Sequence, residues 1–159
     1  MIIAKQEAIE DVVARLSAAQ GSRRGALLPL LHDLQRELGW IDDAAVAAVA
    51  AALNLSRAEV HGVVTFYHDF RRVPAGRHVV KCCRAESCQA RGGAATEQAL
   101  AERLGVAMGE TRADGQVTLE PVYCLGLCAI GPNVLIDGEP MARIDGQAAI
   151  ERIAARVAA

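Results

Sequence analysis

Aromatic side chains are scarce: one Trp, two Tyr and two Phe in 159 residues. That excludes an aromatic cage or a base-stacking platform and leaves Ala, Val, Leu and Ile to build the core. Long apolar runs are also missing. The stretch from Ala44 to Leu53 is among the longest, far short of the roughly 20 residues a membrane span needs. Neither charge sign dominates. Seventeen basic against nineteen acidic residues leave a net charge of −2, no footprint for nucleic acid or an anionic bilayer. The first residues place Glu7, Glu10 and Asp11 where an export signal has its apolar core, so a cytoplasmic location is expected. Five cysteines are too few for a disulfide scaffold at this length. In such a chain they read as ligands, catalytic groups or buried filler.

What is present is globular: 52% hydrophobic and 23% charged residues. The N-terminal half carries helical periodicity. Ile9, Val12, Val13 and Leu16 form one stripe, and Leu27, Leu31, Leu34 and Leu38 form a second that ends at Gly39. A basic turn, Ser22-Arg23-Arg24, lies between them. Asp42 or Asp43 caps a third helix along Val46, Val49 and Leu53, and Ser56 with Glu59 makes a capping box for a fourth. Such a set predicts a small bundle. Past Pro74-Ala75-Gly76 the pattern changes. It predicts a strand over 78–83, a helix over 96–104, a strand over 117–123, and a hairpin of 133–136 with 139–144 around Asp137-Gly138. A last helix, capped by Asp145, carries Ile150, Ile153 and Val157. The expected class is α+β, with a helical region over 1–74 and a second domain over 75–159.

Four cysteines form two close pairs. Cys83 and Cys88 are C-x4-C, and Cys124 and Cys128 are C-x3-C. Each pair follows a predicted strand, so both fit on loops at one sheet end. Four thiolates suit a [2Fe–2S] cluster, two per iron, or a tetrahedral structural zinc. The loop Cys124-Leu-Gly-Leu-Cys128-Ala-Ile-Gly-Pro132 is apolar and glycine-bearing, which favours a shielded redox centre with amides close to sulfur. A thiol–disulfide enzyme is disfavoured because the C-x-x-C spacing is missing.

The segments Val80-Lys-Cys-Cys83-Arg-Ala-Glu-Ser-Cys88-Gln-Ala-Arg-Gly92-Gly, Gly109-Glu-Thr-Arg-Ala-Asp-Gly115 and Val122-Tyr-Cys124-Leu-Gly-Leu-Cys128-Ala-Ile-Gly-Pro132 resemble the thioredoxin-like [2Fe–2S] subunit of NADH dehydrogenases. Ser56-Arg-Ala-Glu-Val60-His-Gly-Val-Val-Thr65-Phe-Tyr67, with Phe70, Pro74 and Gly76, extends the likeness to the helical half. Cys83-Arg-Ala-Glu-Ser-Cys88-Gln-Ala is most similar to the gamma subunit of NAD-dependent molybdenum formate dehydrogenases. The resemblance implies a thioredoxin-like ferredoxin domain behind the helical region. It implies one [2Fe–2S] cluster on Cys83, Cys88, Cys124 and Cys128, and FMN and NAD on a flavin-binding partner subunit. The chain would pass single electrons and convert no substrate itself. The equivalent subunits of respiratory NADH:quinone oxidoreductase and of NAD-linked hydrogenase are the alternatives, and a zinc-stabilised interaction module is a remote one. The chain departs from the family pattern at two places. Cys82 adds a thiol beside the first ligand, and Gly131 stands where the family often has Ala.

Several residues carry a plainer reading. Cys82 alternates with Cys83 along a strand and so points to the other face as buried filler. His61 and His68 read as packing or interface groups, His32 as a boundary residue, and His78 as a strand opener. Phe66, Tyr67 and Phe70 read as a packing seam. Lys81, Arg84 and Arg91 stand near enough in sequence to offset cluster charge. Arg57 is followed by Glu59 and His61, so the turn before it lacks the basic face of a DNA-reading helix. Gly92-Gly93 lacks the spacing of a dinucleotide fingerprint.

Overall fold

The computed structural model describes residues 8–20 and 24–158. Most of the expected basic turn, Ser22 and Arg23, lies outside the described residues. The chain divides into two compact units, Met1–Pro74 and Ala75–Ala159.

The first unit contains α1 (Ile9–Gln20), α2 (Leu27–Leu38), α3 (Asp43–Leu53) and α4 (Arg57–Phe66). The start signals act as the sequence suggests. Asp42 accepts the Ala45 N–H at 2.8 Å, and Ser56 and Glu59 close a reciprocal capping box. Gly39 ends α2 in the left-handed region at φ 87°. α3 is almost wholly Ala and Val and packs against the other three helices. Its Val46 and Val49 share a core with Val13, Leu30, Leu34 and Val60. Gln35 on α2 secures the chain beyond α4. Its side-chain amide donates to the Asp69 carbonyl at 2.6 Å and its oxygen accepts the Arg71 N–H at 2.6 Å.

The second unit is a five-stranded sheet with helices. Its strands are β1 (His78–Cys83), β2 (Glu110–Thr111), β3 (Val117–Val122), β4 (Asn133–Ile136) and β5 (Glu139–Ala142), in the order β2-β3-β1-β4-β5. β1 and β3 are parallel, from His78 opposite Val117 to Cys83 opposite Val122. The other pairings are antiparallel. The connection from β1 runs through α5 (Glu86–Ala90) and α6 (Gly93–Leu104), and the described chain closes with α7 (Gln147–Val157). Val80, Cys82, Val117, Leu119, Val134 and Ile136 form the sheet side of a core completed by Leu100, Leu104, Ile150 and Ile153. Together the two units make an α+β protein.

The structure corrects the expected elements in several places; β3, for one, ends at Val122 rather than at 123. α5 and the two-residue β2 are additional, both being too short for a periodic signal. α6 begins three residues earlier than expected, at Gly93. β5 stops at Ala142 rather than at 144. Gly146, not Asp145, stands at the start of α7, with no side-chain cap.

Two local contacts tie the sheet together. Asp137 turns the β4–β5 hairpin at φ 53°, followed by Gly138 at φ 86°, the left-handed pair a tight hairpin requires. Its carboxylate accepts the Val79 N–H and meets His78 Nδ1, both at 2.9 Å. Burial alone would raise the Asp137 pKa, but the His78 ring and the Val79 N–H outweigh it and hold the group below the usual value. At Gly76, a Cβ would fall 2.8 Å from the Val117 main chain.

Two stability outcomes follow from urea unfolding of the intact chain. Asp137→Asn is expected to lose about 1 kcal/mol at neutral pH, the scale of one partly exposed charged hydrogen bond. Because the folded-state pKa is lowered, that difference is full above about pH 5 and closes as pH falls below the free aspartate value of about 3.9. An unchanged difference at low pH would remove the carboxylate from this role. Gly76→Ala presses a methyl group into main chain and is expected to cost about 1–3 kcal/mol at any pH.

Candidate metal centre

Parallel pairing puts the C-terminal ends of β1 and β3 at the same edge of the sheet. Cys83 is the last residue of β1, and Cys124 follows β3 by two positions. Cys88 sits inside α5, and Cys128 opens a 3₁₀ turn, Cys128–Ile130. Cys83 and Cys88 are buried and Cys124 is exposed. The Cys83 and Cys88 thiols are hydrogen-bond partners, while Cys124 Sγ and Cys128 Sγ stand 3.6 Å apart. The N–H groups of Cys124 and Leu125 meet the Cys83 sulfur, so the two pairs adjoin.

Main-chain amides converge on these sulfurs. Burial would raise the Cys83 pKa, but the N–H groups of Ala85, Cys124 and Leu125 and the Cys88 thiol bring it below the usual value. The Gly126 N–H points at Cys124 Sγ at 3.4 Å. This requires left-handed backbone at both Cys124, φ 82°, and Gly126, φ 75°. For a non-glycine residue that conformation costs about 1–3 kcal/mol and occurs chiefly at functional sites. Cys88 is pushed up, first by burial and then by its bond to Cys83. Cys128 is pushed up by its contact with the Cys124 thiol.

Cys82 belongs elsewhere. It is 1% exposed within the sheet core, where burial raises its thiol to about 12. The alternation of a strand separates it from its neighbour. Two of the expected cations are engaged with carboxylates: Lys81 lies 3.6 Å from Glu120 and Arg84 lies 3.0 Å from Glu97. Arg91 instead donates through Nε to the Gly131 carbonyl at 3.1 Å. Offset of negative charge at the sulfurs therefore falls mainly to N–H dipoles.

His61 and His68 are exposed, and His32 rests on Phe70 with ring centroids 4.9 Å apart. His78 pairs with Asp137. Of the expected aromatic seam only Phe70 is buried; Phe66 is 73% exposed and Tyr67 44%.

Sequence reading missed Asn133, Ser87 and the close approach of Gly131. Asn133 is buried beside Cys88, and Ser87 Oγ donates to the Cys128 carbonyl at 3.3 Å. A Cβ on Gly131 would fall 3.1 Å from Cys88 Sγ. Nothing in the linear pattern sets Asn133 and Ser87 apart from ordinary strand and loop residues, and Gly131 stands out there only as a departure from the family pattern, not for its closeness to Cys88.

The donor set fits a [2Fe–2S] cluster. Such a cluster takes two thiolates on each of two irons, and the thiols are laid out as two adjoining pairs with amide donors aimed at them. Among the described residues, no three His, Cys, Asp or Glu side chains converge to hold a single metal ion.

Comparison with known proteins agrees. The profile of the "Thioredoxin-like [2Fe-2S] ferredoxin" family matches residues 9–157. A subunit of the NADH-quinone oxidoreductase of Escherichia coli (strain K12) is 36% identical over 145 residues, covering 91% of this chain and 85% of that protein. A second such subunit, from the NADH-quinone oxidoreductase of Thermus thermophilus, is 32% identical over 151 residues, covering 95% and 82%. A crystal structure of an NAD+-reducing [NiFe]-hydrogenase superposes with a TM-score of 0.72 at 28% identity, over 84% of this chain but only 23% of the hydrogenase chain. The chain belongs to the thioredoxin-like [2Fe–2S] ferredoxin family, whose cofactor is a single [2Fe–2S] cluster.

Proposed function

We propose that this chain is the electron-transfer subunit of a cytoplasmic NAD-linked oxidoreductase complex, holding its cluster on Cys83, Cys88, Cys124 and Cys128. The observation that carries the proposal is the meeting of two thiol pairs at one sheet edge under a set of amide donors. When bound, the cluster supplies one-electron acceptance and release. The work of the protein is electrostatic. Four thiolates and two sulfides outweigh two ferric ions, and reduction adds a further negative charge. The N–H groups of Ala85, Leu125 and Gly126 face the sulfurs that share that charge. Cys83 and Cys88 lie in the protein, away from water, whereas Cys124 and the adjoining Tyr123, 70% exposed, form the open side. A redox partner approaches most closely there.

That partner is a subunit carrying FMN and NAD, where hydride chemistry is converted into single electrons. The relatives named as NADH-quinone oxidoreductase subunits and as an NAD+-reducing hydrogenase support this coarse placing. We place the host complex among NAD-dependent formate dehydrogenases, on the likeness of residues 83–90 to their gamma subunit. The quinone oxidoreductase and hydrogenase types are the alternatives, favoured by those same relatives. No helix among the described residues is long and apolar enough to cross a membrane.

Anaerobic purification is expected to give a coloured chain with two irons and two sulfides and a paramagnetic signal on dithionite reduction. Cys→Ser at 83, 88, 124 or 128 is expected to abolish or severely deplete the native signal, while Cys82→Ser keeps it. A bleached Cys82→Ser beside an intact Cys83→Ser would overturn the ligand assignment. One zinc without sulfide, persisting after anaerobic reconstitution, would overturn the redox reading.

For the host, the tagged chain is to be isolated with its partners. Formate-dependent NAD reduction is expected. Hydrogen-dependent NAD reduction or NADH–quinone activity in its place would assign the chain to one of the alternatives.

A further inference from the structure

The thiols of the centre are not equally open to a reagent. Cys88 is 1% exposed and Cys83 2%, whereas Cys124 is exposed and Cys128 half-buried. The open pair is also a close one, with Cys124 Sγ and Cys128 Sγ 3.6 Å apart. A disulfide needs about 2.0 Å, so roughly 1.5 Å of movement would close it. The turn has room for that movement. Cys124 is exposed, so rotation of its side chain meets little resistance. Gly126 lies midway between the two cysteines, and a Cβ there would meet no atom within 4 Å. Only Leu125, Gly126 and Leu127 separate the pair, so no ion pair pins the turn.

We infer that Cys124 and Cys128 form a thiol switch in the chain before its cluster is built. An oxidised low-molecular-weight thiol closes them to an intramolecular disulfide, and that bond withholds two ligands from iron. The consequence for iron rests on the ligand set proposed above; the bond itself does not. The exchange runs in two steps. Cys124 thiolate attacks one sulfur of the reagent, giving a mixed disulfide and releasing one reagent thiolate. Cys128 thiolate then attacks the Cys124 sulfur, the protein S–S bond forms, and the second reagent thiolate leaves. The two protein sulfurs lose two electrons in all and the reagent gains them, while the two thiol protons pass to the departing thiolates. The first step needs access to sulfur, which spares Cys83 and Cys88 and also Cys82, 1% exposed. The bond would be exposed and would span a C-x3-C turn held at φ 82° at Cys124. Exposed or strained disulfides are the readily reduced ones, so a dithiol reopens it.

The test uses the full chain, freed of iron by chelation under reducing conditions, desalted anaerobically and exposed to oxidised glutathione. Remaining thiols are then blocked in denaturant. Trypsin leaves Cys82 with Cys83, Cys88 alone, and Cys124 with Cys128 on three separate peptides. The peptide with Cys124 and Cys128 is expected unblocked and lighter by two hydrogens, with the other two peptides fully blocked. Cys128→Ser is expected to stop at a glutathione adduct on Cys124. A bond to Cys82, Cys83 or Cys88, an adduct that persists on wild-type Cys124, or blocking of all five thiols overturns the inference.

The second measurement offers the oxidised chain a preformed [2Fe–2S] cluster from a scaffold protein, without free thiol or sulfide. Uptake is expected to fall to about a tenth or less of that of the reduced chain, because a cluster takes two thiolates on each iron. Prior treatment with a dithiol is expected to restore it. Equal uptake after the bond has opened unaided overturns the switch. Equal uptake with the bond intact instead overturns the ligand assignment beneath it.

Discussion

The parallel pairing of β1 with β3 is the constraint on which the site depends. Two cysteine pairs roughly forty residues apart in sequence meet because two strands run the same way and end at the same edge. The pairing is held from below. Val80 and Cys82 on β1 and Val117 and Leu119 on β3 are buried with residues of α6 and α7. A register slip by one residue would turn that apolar row out of the core and exchange Cys82 for Cys83 at the edge. Burial of the inner face thus selects which of two adjacent thiols is available for metal chemistry.

The second constraint is charge. Sulfurs that share an anionic cluster need positive potential near them, and the obvious cations in the sequence are otherwise occupied. Lys81 and Arg84 lie beside Glu120 and Glu97. The main chain fills the role instead. Left-handed backbone at Cys124 and Gly126 turns amides toward sulfur, and Ala85 does the same from the start of α5. Fixed dipoles need little reorganisation when an electron arrives, which suits a centre that cycles between two charge states. The left-handed Cys124 conformation is local strain beside sulfurs that face directed donors.

The helical unit follows a simpler logic. Its helices begin at Asp42 and Ser56 and end at Gly39 and Asn54, all through local contacts. A stripe of aliphatic residues on each helix then finds the Ala- and Val-rich α3. Phe66 and Tyr67 lie at the end of α4 and remain outside this core, so aromatic identity alone was a poor guide to burial there. Their one buried companion, Phe70, comes after the helix, where Gln35 holds the chain against α2.

Sequence alone determined what local chemistry can encode. Capping residues, aliphatic periodicity, the Asp137-Gly138 turn and the edge of β1 at Cys83 were legible because each depends on residues within a few positions of one another. The α+β class and the two cysteine pairs were legible for the same reason. Short elements such as α5 and β2 were not, since five and two residues carry no period. Tertiary structure decided the rest. It set Lys81 and Arg84 against carboxylates and brought Asn133 and Gly131 against Cys88 across more than forty residues of chain. Those outcomes depend on strand order and on which groups share a buried volume, and no short window of sequence contains either.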